Sequence, residues 1–252
     1  METARLIEME GVTVKAPGAG LTGIDWVVCA GESWAVTGLQ GSGKTALVEV
    51  VVGLASPIRG EVRLFGQRMA EMSPSDLANV RQRMGVVFEG RGRLFPRLSV
   101  YENVALPLCY RGNLSMTEVL PTVGGLLERM GLEPVAEQSA GALGYAWARR
   151  VALARALVMG PELLLVENPF AGLDAAHTRW WRRFLGELKQ GVALPSQRSL
   201  TLVMTVDDPR WILGLCDRFA VTHGGGWRSF ATRSDFERCA GGELRELLHD
   251  TD

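Results

Sequence analysis

The chain has 252 residues, with 27 Lys and Arg against 28 Asp and Glu for a formal net charge of −1, a balance that gives no bulk electrostatic hold on nucleic acid. Hydrophobic residues make up 47% and charged ones 22%, which excludes a disordered chain and a highly charged coiled coil. No run of about eighteen apolar residues is present to span a bilayer, and Met1 to Gly11, with Glu2, Glu8 and Glu10, lacks the apolar centre of a secretory signal.

In chain order, short β-like runs come first, at Arg5 to Glu8, Ile24 to Cys29 and Ser33 to Thr37. Gly38 to Gly43 then reads as a loop, and Lys44 to Leu54 has helical composition. Glu61 to Phe65 and Gly85 to Phe88 follow as further strands. From about residue 95 to 160 the pattern is mainly helical, with Ser115 and Gly144 as helix starts. Apolar runs return at Leu163 to Val166 and Leu200 to Val206, each ahead of a helix-like stretch, Asp174 to Lys189 and Pro209 to Leu215. Alternating strands and helices of this kind predict an α/β fold on a parallel sheet with a helical insertion.

The sharpest motif is Gly38-Leu39-Gln40-Gly41-Ser42-Gly43-Lys44-Thr45, which matches G-x-x-x-x-G-K-S/T between a strand and a helix. Glycines let backbone N–H groups curl around phosphate oxygens where a side chain would block approach. The helix N-terminus adds its positive dipole end. Lys44 is placed to reach the β- and γ-phosphates, and the Thr45 hydroxyl to bind Mg²⁺. Nucleotide binding, with ATP and Mg²⁺ as ligands, is the firmest expectation.

Further motifs follow in a fixed order: Leu94-Phe95-Pro96 with Val100-Tyr101-Glu102-Asn103-Val104, then Arg149-Arg150-Val151-Ala152-Leu153-Ala154-Arg155-Ala156-Leu157, Pro161-Glu162-Leu163-Leu164-Leu165-Val166, and Ala171-Gly172-Leu173-Asp174. Together with the phosphate loop they resemble, nearly end to end, the ATPase subunit of ABC transporters. The last two correspond to that family's Walker B strand and D-loop. Arg81-Gln82-Arg83-Met84, Asn103-Val104-Ala105-Leu106-Pro107-Leu108, Trp147-Ala148-Arg149-Arg150 and Asn168-Pro169-Phe170 are similar to the ATPase of bacterial MCE-type phospholipid transporters, the system that maintains outer-membrane lipid asymmetry. Asp208-Pro209 with Leu215-Cys216-Asp217 is similar to that subfamily as well. The resemblance implies a P-loop NTPase fold with a parallel-sheet core, an N-terminal antiparallel β subdomain and an α-helical signature subdomain. It implies one domain over residues 1–252, with a core from about 1–92 and 160–252 and a helical part from about 93–159. It also implies a membrane permease docked near Glu89 to Tyr110, a second ABC subunit, an MCE lipid-binding protein, and a peripheral place on the cytoplasmic face of the inner membrane.

Several positions depart from that family pattern. Walker B ends in Asp-Glu in the family and in Glu167-Asn168 here. Glu167 keeps a charge for the metal, but its longer arm must refit an octahedron with metal–oxygen distances of about 2.0–2.1 Å. Asn168 can orient an attacking water yet cannot take its proton, a loss that costs about 10²–10⁴-fold. Aligned through Cys216-Asp217, the γ-phosphate-contacting histidine becomes Asp207; a register one residue earlier puts Val206 there. The Q-loop glutamine becomes Glu89, a further candidate for Mg²⁺. The signature Leu-Ser-Gly-Gly-Gln becomes Leu143-Gly144-Tyr145-Ala146-Trp147, which removes a hydroxyl donor and two glycines. Residues 1–25 hold no Phe, Tyr or Trp to stack on adenine, leaving Lys15 or Arg5 for that contact. Binding is therefore expected to survive and hydrolysis to be weak. The alternatives are a fully active ATPase that uses Glu89, Glu167 and Asp207 in unusual roles, and an ATP-binding regulatory module outside transport.

The remaining features read as structural. Arg81, Arg83, Arg91, Arg93 and Arg97 form the densest basic stretch, taken as a solvated face and not a nucleic-acid patch. Trp180 and Phe184, four residues apart, suggest helix packing. Asp25 and Glu32 are expected as surface charges, Cys29 and Cys216 as core thiols, and His177, His223 and His249 as isolated. With Cys109 and Cys239, the cysteines show no pairing or metal spacing and read as the reduced thiols of a cytosolic protein.

Overall fold

The computed structural model describes residues 3–16, 20–112, 114–192 and 200–239. The first sheet is antiparallel, in the order β2-β1-β4-β5, built from β1 (Arg5–Val14), β2 (Leu21–Cys29), β4 (Arg59–Leu64) and the short β5 (Gln67–Arg68). The second has six strands, in the order β10-β9-β3-β8-β7-β6. Its members are β3 (Ser33–Thr37), β6 (Met84–Val87), β7 (Leu163–Glu167), β8 (Thr201–Val206), β9 (Arg218–His223) and β10 (Gly226–Phe230). All pairings in it are parallel except β10 on β9. The helices are α1 (Lys44–Val51), α2 (Pro74–Gln82), α3 (Val100–Gly112), α4 (Met116–Met130), α5 (Tyr145–Leu157), α6 (Ala175–Lys189) and α7 (Arg233–Cys239).

Every residue of β3, β7 and β8 is buried, as continuous apolar runs in a sheet covered on both faces should be. Because strand side chains alternate, each run feeds two cores. Leu163 and Leu165 of β7, Val203 of β8 and Trp34 and Val36 of β3 join the core under the antiparallel sheet and α1. Leu164 and Val166, Leu202 and Met204, and Ala35 join the core under α3, α4, α5 and α6. The sheet is thus clamped between the antiparallel layer and the helices, with the C-terminal ends of β3, β7 and β8 facing one edge.

Helix starts follow local chemistry. Ser115 accepts from the Glu118 N–H and Glu118 reaches back to the Ser115 N–H, a reciprocal cap for α4. Asp174 caps α6 by accepting from the His177 N–H at 2.8 Å. Some expectations need correcting. β1 runs on to Val14, past Glu8, by absorbing irregularities against β2. Pro209 to Leu215 is not a helix: only Pro209–Trp211 winds, as one 3₁₀ turn. Pro209 donates no backbone N–H, and the chain must descend at once to β9. The sequence reading also has no counterpart for α2, β9, β10 or α7.

Candidate functional site

The glycine-rich loop leaves the C-terminal end of β3 and enters α1 at Lys44. Gly41 (φ +82°) and Gly43 (φ +96°) hold left-handed backbone that a side chain would strain. Gly38 is needed for space: a Cβ there would lie 2.0 Å from the Thr222 hydroxyl. Thr222, on β9, ties the loop down through the Ser42 hydroxyl at 2.7 Å and the Thr37 carbonyl at 3.2 Å. This anchor was missed in the sequence because β9 itself was not read as a strand.

Lys44 is buried at 6% exposure. Its ammonium donates to the Gly38 carbonyl and, at 2.8 Å, to the Leu39 carbonyl. It also forms an ion pair with Asp207 Oδ1 at 2.9 Å. Asp207 directly follows β8, while Val206 is a buried strand residue, so Asp207 and not Val206 faces the loop. Asn168 directly follows β7 and holds Asp207 from the other side. Its Nδ2 donates to Asp207 Oδ2 at 3.3 Å, and its Oδ1 accepts from the Asp207 N–H at 3.1 Å. Asn168 sits at φ +40°, a region that asparagine tolerates better than most residues. Its carbonyl and that of Glu167 accept from the Arg149 guanidinium at 3.0 and 2.7 Å. Arg149 also donates to the Phe88 carbonyl at 2.6 Å. This fully buried arginine pins α5 to the ends of β6 and β7, and no sequence spacing announces that role.

Behind Thr45 lies Glu167, buried at 2% exposure. Glu167 Oε2 accepts from the Glu89 N–H at 3.0 Å, and the Thr45 hydroxyl lies beside the same carboxylate. Burial pushes its carboxyl above the ordinary carboxylate range. Glu167 Oε1 is buried with no hydrogen-bond partner. A hard cation with oxygen ligands would supply the missing partner and relieve that desolvation, so Thr45 and Glu167 fit a Mg²⁺ ion. Glu89, beside Glu167 through that N–H hydrogen bond, is exposed and lines the same cleft as Thr45.

The resulting cleft, of about 380 Å³, brings together Gln40, Gly41, Gly43, Lys44, Thr45, Glu89, Asn168 and Asp207. Lys15 lines it; Arg5 instead pairs with Glu8 on β1. Leu143, Gly144, Tyr145, Ala146 and Trp147 lie elsewhere, at the start of α5. Gly144 caps that helix without a side-chain hydrogen bond. Tyr145 lies against its own Gly172, where a Cβ would come within 3.2 Å of its ring. Trp147 packs edge-on against His177 at 5.6 Å, and the Arg150 guanidinium lies over Trp147 and Trp180 at 4.9 and 4.0 Å. Of the aromatic replacements in the signature, Tyr145 is therefore folded onto the loop before α6 and Trp147 onto α6 itself.

Arg81, Arg83, Arg91 and Arg93 of the basic stretch make internal contacts, while Arg97 is exposed. Arg81 donates to Val52 and Gly53 carbonyls, Arg83 pairs with Glu162, Arg91 donates to the Leu143 carbonyl at 2.8 Å, and Arg93 lies over the Phe88 ring at 3.8 Å. A second groove, of about 460 Å³, is lined from β6, α3 and α5 and presents Arg81, Phe95, Leu106, Tyr110, Arg111 and Arg155. Phe95 and Tyr110 are 51% and 85% exposed. Tyr101 instead packs on the helical core, with its hydroxyl on the Met116 carbonyl. Glu32 is not a simple surface charge: it accepts from the Cys29 N–H and Trp34 Nε1 and pairs with Arg218. Cys216 is buried, which pushes its thiol up, but Cys29 is only half-buried. Trp180 and Phe184 stack at 4.9 Å, as their spacing predicts. His249 and the Cys239 side chain lie outside the described residues. Among the described residues, no helix is long and apolar enough to cross a membrane.

The family model described as "ABC transporter" matches residues 21–171. The lipoprotein-releasing system ATP-binding protein LolD of Psychrobacter arcticus is 33% identical over 211 residues, covering 83% of this chain and 90% of that one. The intermembrane phospholipid transport system ATP-binding protein MlaF of Escherichia coli is 32% identical over 225 residues, covering 88% and 82%. The methionine import ATP-binding protein MetN of Cupriavidus metallidurans is 32% identical over 225 residues, covering 87% and 63%. Among solved structures, the dimeric post-hydrolysis state of the ATP-binding cassette MJ0796 bound to ADP and Pi superposes with a TM-score of 0.77 at 24% identity, over 90% of this chain and 98% of that one.

Proposed function

This chain belongs to the ABC transporter family as an ATP-binding subunit, and we propose that it serves lipid transport, binding MgATP while hydrolysing it weakly. The observation that carries this reading is the contrast inside one cleft. The phosphate loop has its glycines, Lys44 and Thr45 in order, while the positions beside it hold Asn168 and Asp207 locked to each other. An amide cannot accept the proton of an attacking water, and a carboxylate on Lys44 adds negative charge where phosphoryl charge would develop. Gly38 to Thr45 would cradle the phosphates; Thr45 and Glu167, with Glu89 beside them, would hold Mg²⁺, which when bound neutralises phosphate charge.

The lipid assignment is supported by the motif resemblance to MCE-type transporters and by relatives named for phospholipid and lipoprotein transport. The partner would be a membrane permease seated in the groove around Phe95 and Tyr110, with a second ABC subunit completing each nucleotide site and an MCE lipid-binding protein in the same assembly. The chain would then lie peripherally on the cytoplasmic face of the inner membrane. Purification from membranes under mild detergent, with identification of the accompanying subunits and measurement of phosphate release, tests the proposal. A permease beside an MCE protein, with slow release, is the expected result. Family-like turnover would favour the active-ATPase alternative, and a soluble regulatory partner without a permease would refute the transport role.

A further inference from the structure

Two departures from the family pattern, at 168 and 207, meet in one matched pair. An amide presents a donor and an acceptor, and Asn168 uses both on Asp207: Nδ2 on the carboxylate at 3.3 Å, Oδ1 on the N–H at 3.1 Å. A glutamate at 168 has no donor to offer and would set a second carboxylate against the first. Asn168 is itself fixed, its N–H donating to the Thr205 carbonyl at 2.9 Å and its carbonyl accepting from Arg149. The carboxylate so aimed lands on Lys44 Nζ at 2.9 Å. An ammonium has three donors, and here they are shared among Gly38, Leu39 and Asp207, with the Ser42 hydroxyl a longer fourth contact at 3.4 Å.

We propose that Asp207 is a specificity-determining residue that stands in for the terminal phosphate of a nucleoside triphosphate, so that this cleft takes a nucleoside diphosphate more readily than a triphosphate. The inference rests on the reading that the loop binds nucleotide. A diphosphate can draw Lys44 away from the Gly38 and Leu39 carbonyls and leave the Asp207 pair in place. A third phosphate brings further negative charge toward the same ammonium and must displace Asp207 or lie against it. Asn168 is the positioning residue, because its two hydrogen bonds hold Asp207 on Lys44 and oppose that displacement.

The test is calorimetric titration of the full chain with MgADP and with the Mg²⁺ complex of the non-hydrolysable β,γ-imido analogue of ATP. Parent, Asp207→Asn and Asp207→Ser are compared, with circular dichroism to confirm folding. In the parent, ADP should bind about tenfold or more tightly than the ATP analogue. Asp207→Asn should raise affinity for the analogue about tenfold while changing that for ADP less than about threefold. Asn168→Ala should move the ratio in the same direction by less. In the nucleotide-free state Asp207→Asn should also melt lower than the parent, because it removes the partner of a buried ammonium. Equal affinities in the parent, or a ratio unmoved in both Asp207 variants, would overturn the proposal while leaving nucleotide binding intact. Failure of every folded variant to bind either nucleotide would overturn the binding reading as well.

Discussion

Restoring the family's glutamate at Asn168 is the natural repair, and the structure says that alone it will fail. The new carboxylate would replace the Nδ2 donor that now lies 3.3 Å from Asp207 Oδ2. Two like charges about 4 Å apart repel by about 4 kcal/mol at an effective dielectric of about 20. The Asp207 side chain is 44% exposed, and solvent screening lowers this to about 1–2 kcal/mol. Glutamate at φ +40° adds about 1 kcal/mol of backbone strain. A loss of about 2–3 kcal/mol in a chain of this size lowers the melting temperature by roughly 4–12 °C. The assay pairs thermal unfolding of nucleotide-free Asn168→Glu with steady-state phosphate release. The single variant should melt lower and still turn over slowly. Asn168→Glu with Asp207→His should melt below Asp207→His alone by no more than the backbone strain at 168, because the second carboxylate is gone. Catalytic groups acting as a unit are strongly non-additive, so substantial turnover should need repair at Glu167 and the signature as well. Family-like phosphate release from the single variant, at undiminished stability, would refute the argument that Asn168 and Asp207 function as a pair.

Lys44→Ala should weaken nucleotide binding by about a hundredfold or more, read by titration; unchanged affinity would remove the loop from the binding site. Phe95→Ser together with Tyr110→Ser should shift the subunit from the membrane to the soluble fraction without altering its melting temperature, since both rings are exposed; retention on the membrane would place the permease contact elsewhere. Asp174→Ala should lower stability at neutral pH. The His177 N–H holds the Asp174 carboxyl below the ordinary range, so its contribution is present above the unfolded pKa and fades as pH falls through the depressed folded value. Melting curves of parent and variant should therefore converge in strong acid, and a constant gap would refute the capping role.

What could be read from the sequence was what local chemistry dictates. Ser33 to Thr37 and Leu163 to Val166 announce buried strands because every residue is apolar or small. The phosphate loop is legible because its glycines and lysine answer one ligand. Ser115 and Asp174 stand at helix starts that their side chains cap, and Gly144 stands at one with no side-chain cap. The omissions had signals of weaker kinds. α2 carries Ser73-Pro74-Ser75-Asp76, a capping box with proline in the first turn, but little apolar periodicity behind it. The β9–β10 hairpin carries Gly224-Gly225 at its turn, yet β9 earns its place only by pairing with β3, far away in sequence. Asp207 was legible as a departure and not as an ion pair. Its partner Lys44 lies on another strand's loop, and only the sheet order brings the ends of β3, β7 and β8 together.

The family resemblance implies that each nucleotide site joins the phosphate loop of one subunit to the signature of another. In this chain the loop side has Asn168 and Asp207 in place of a base and a histidine. The signature side has Tyr145 and Trp147 turned onto Gly172 and His177. Neither side leaves its neighbour's half unaffected. Two copies would form two sites, each with both alterations, whereas a copy paired with an unaltered subunit would form two sites with one alteration each. In the mixed pair, the partner's own phosphate loop would keep its base and meet only the altered signature, so residual hydrolysis should reside there. Lys44→Ala in this chain would then leave the phosphate release of a mixed assembly largely in place, while the equivalent change in the partner would abolish it. Loss of release from Lys44→Ala alone would place the working site on this chain, and with it a catalytic role for Glu89, Glu167 or Asp207.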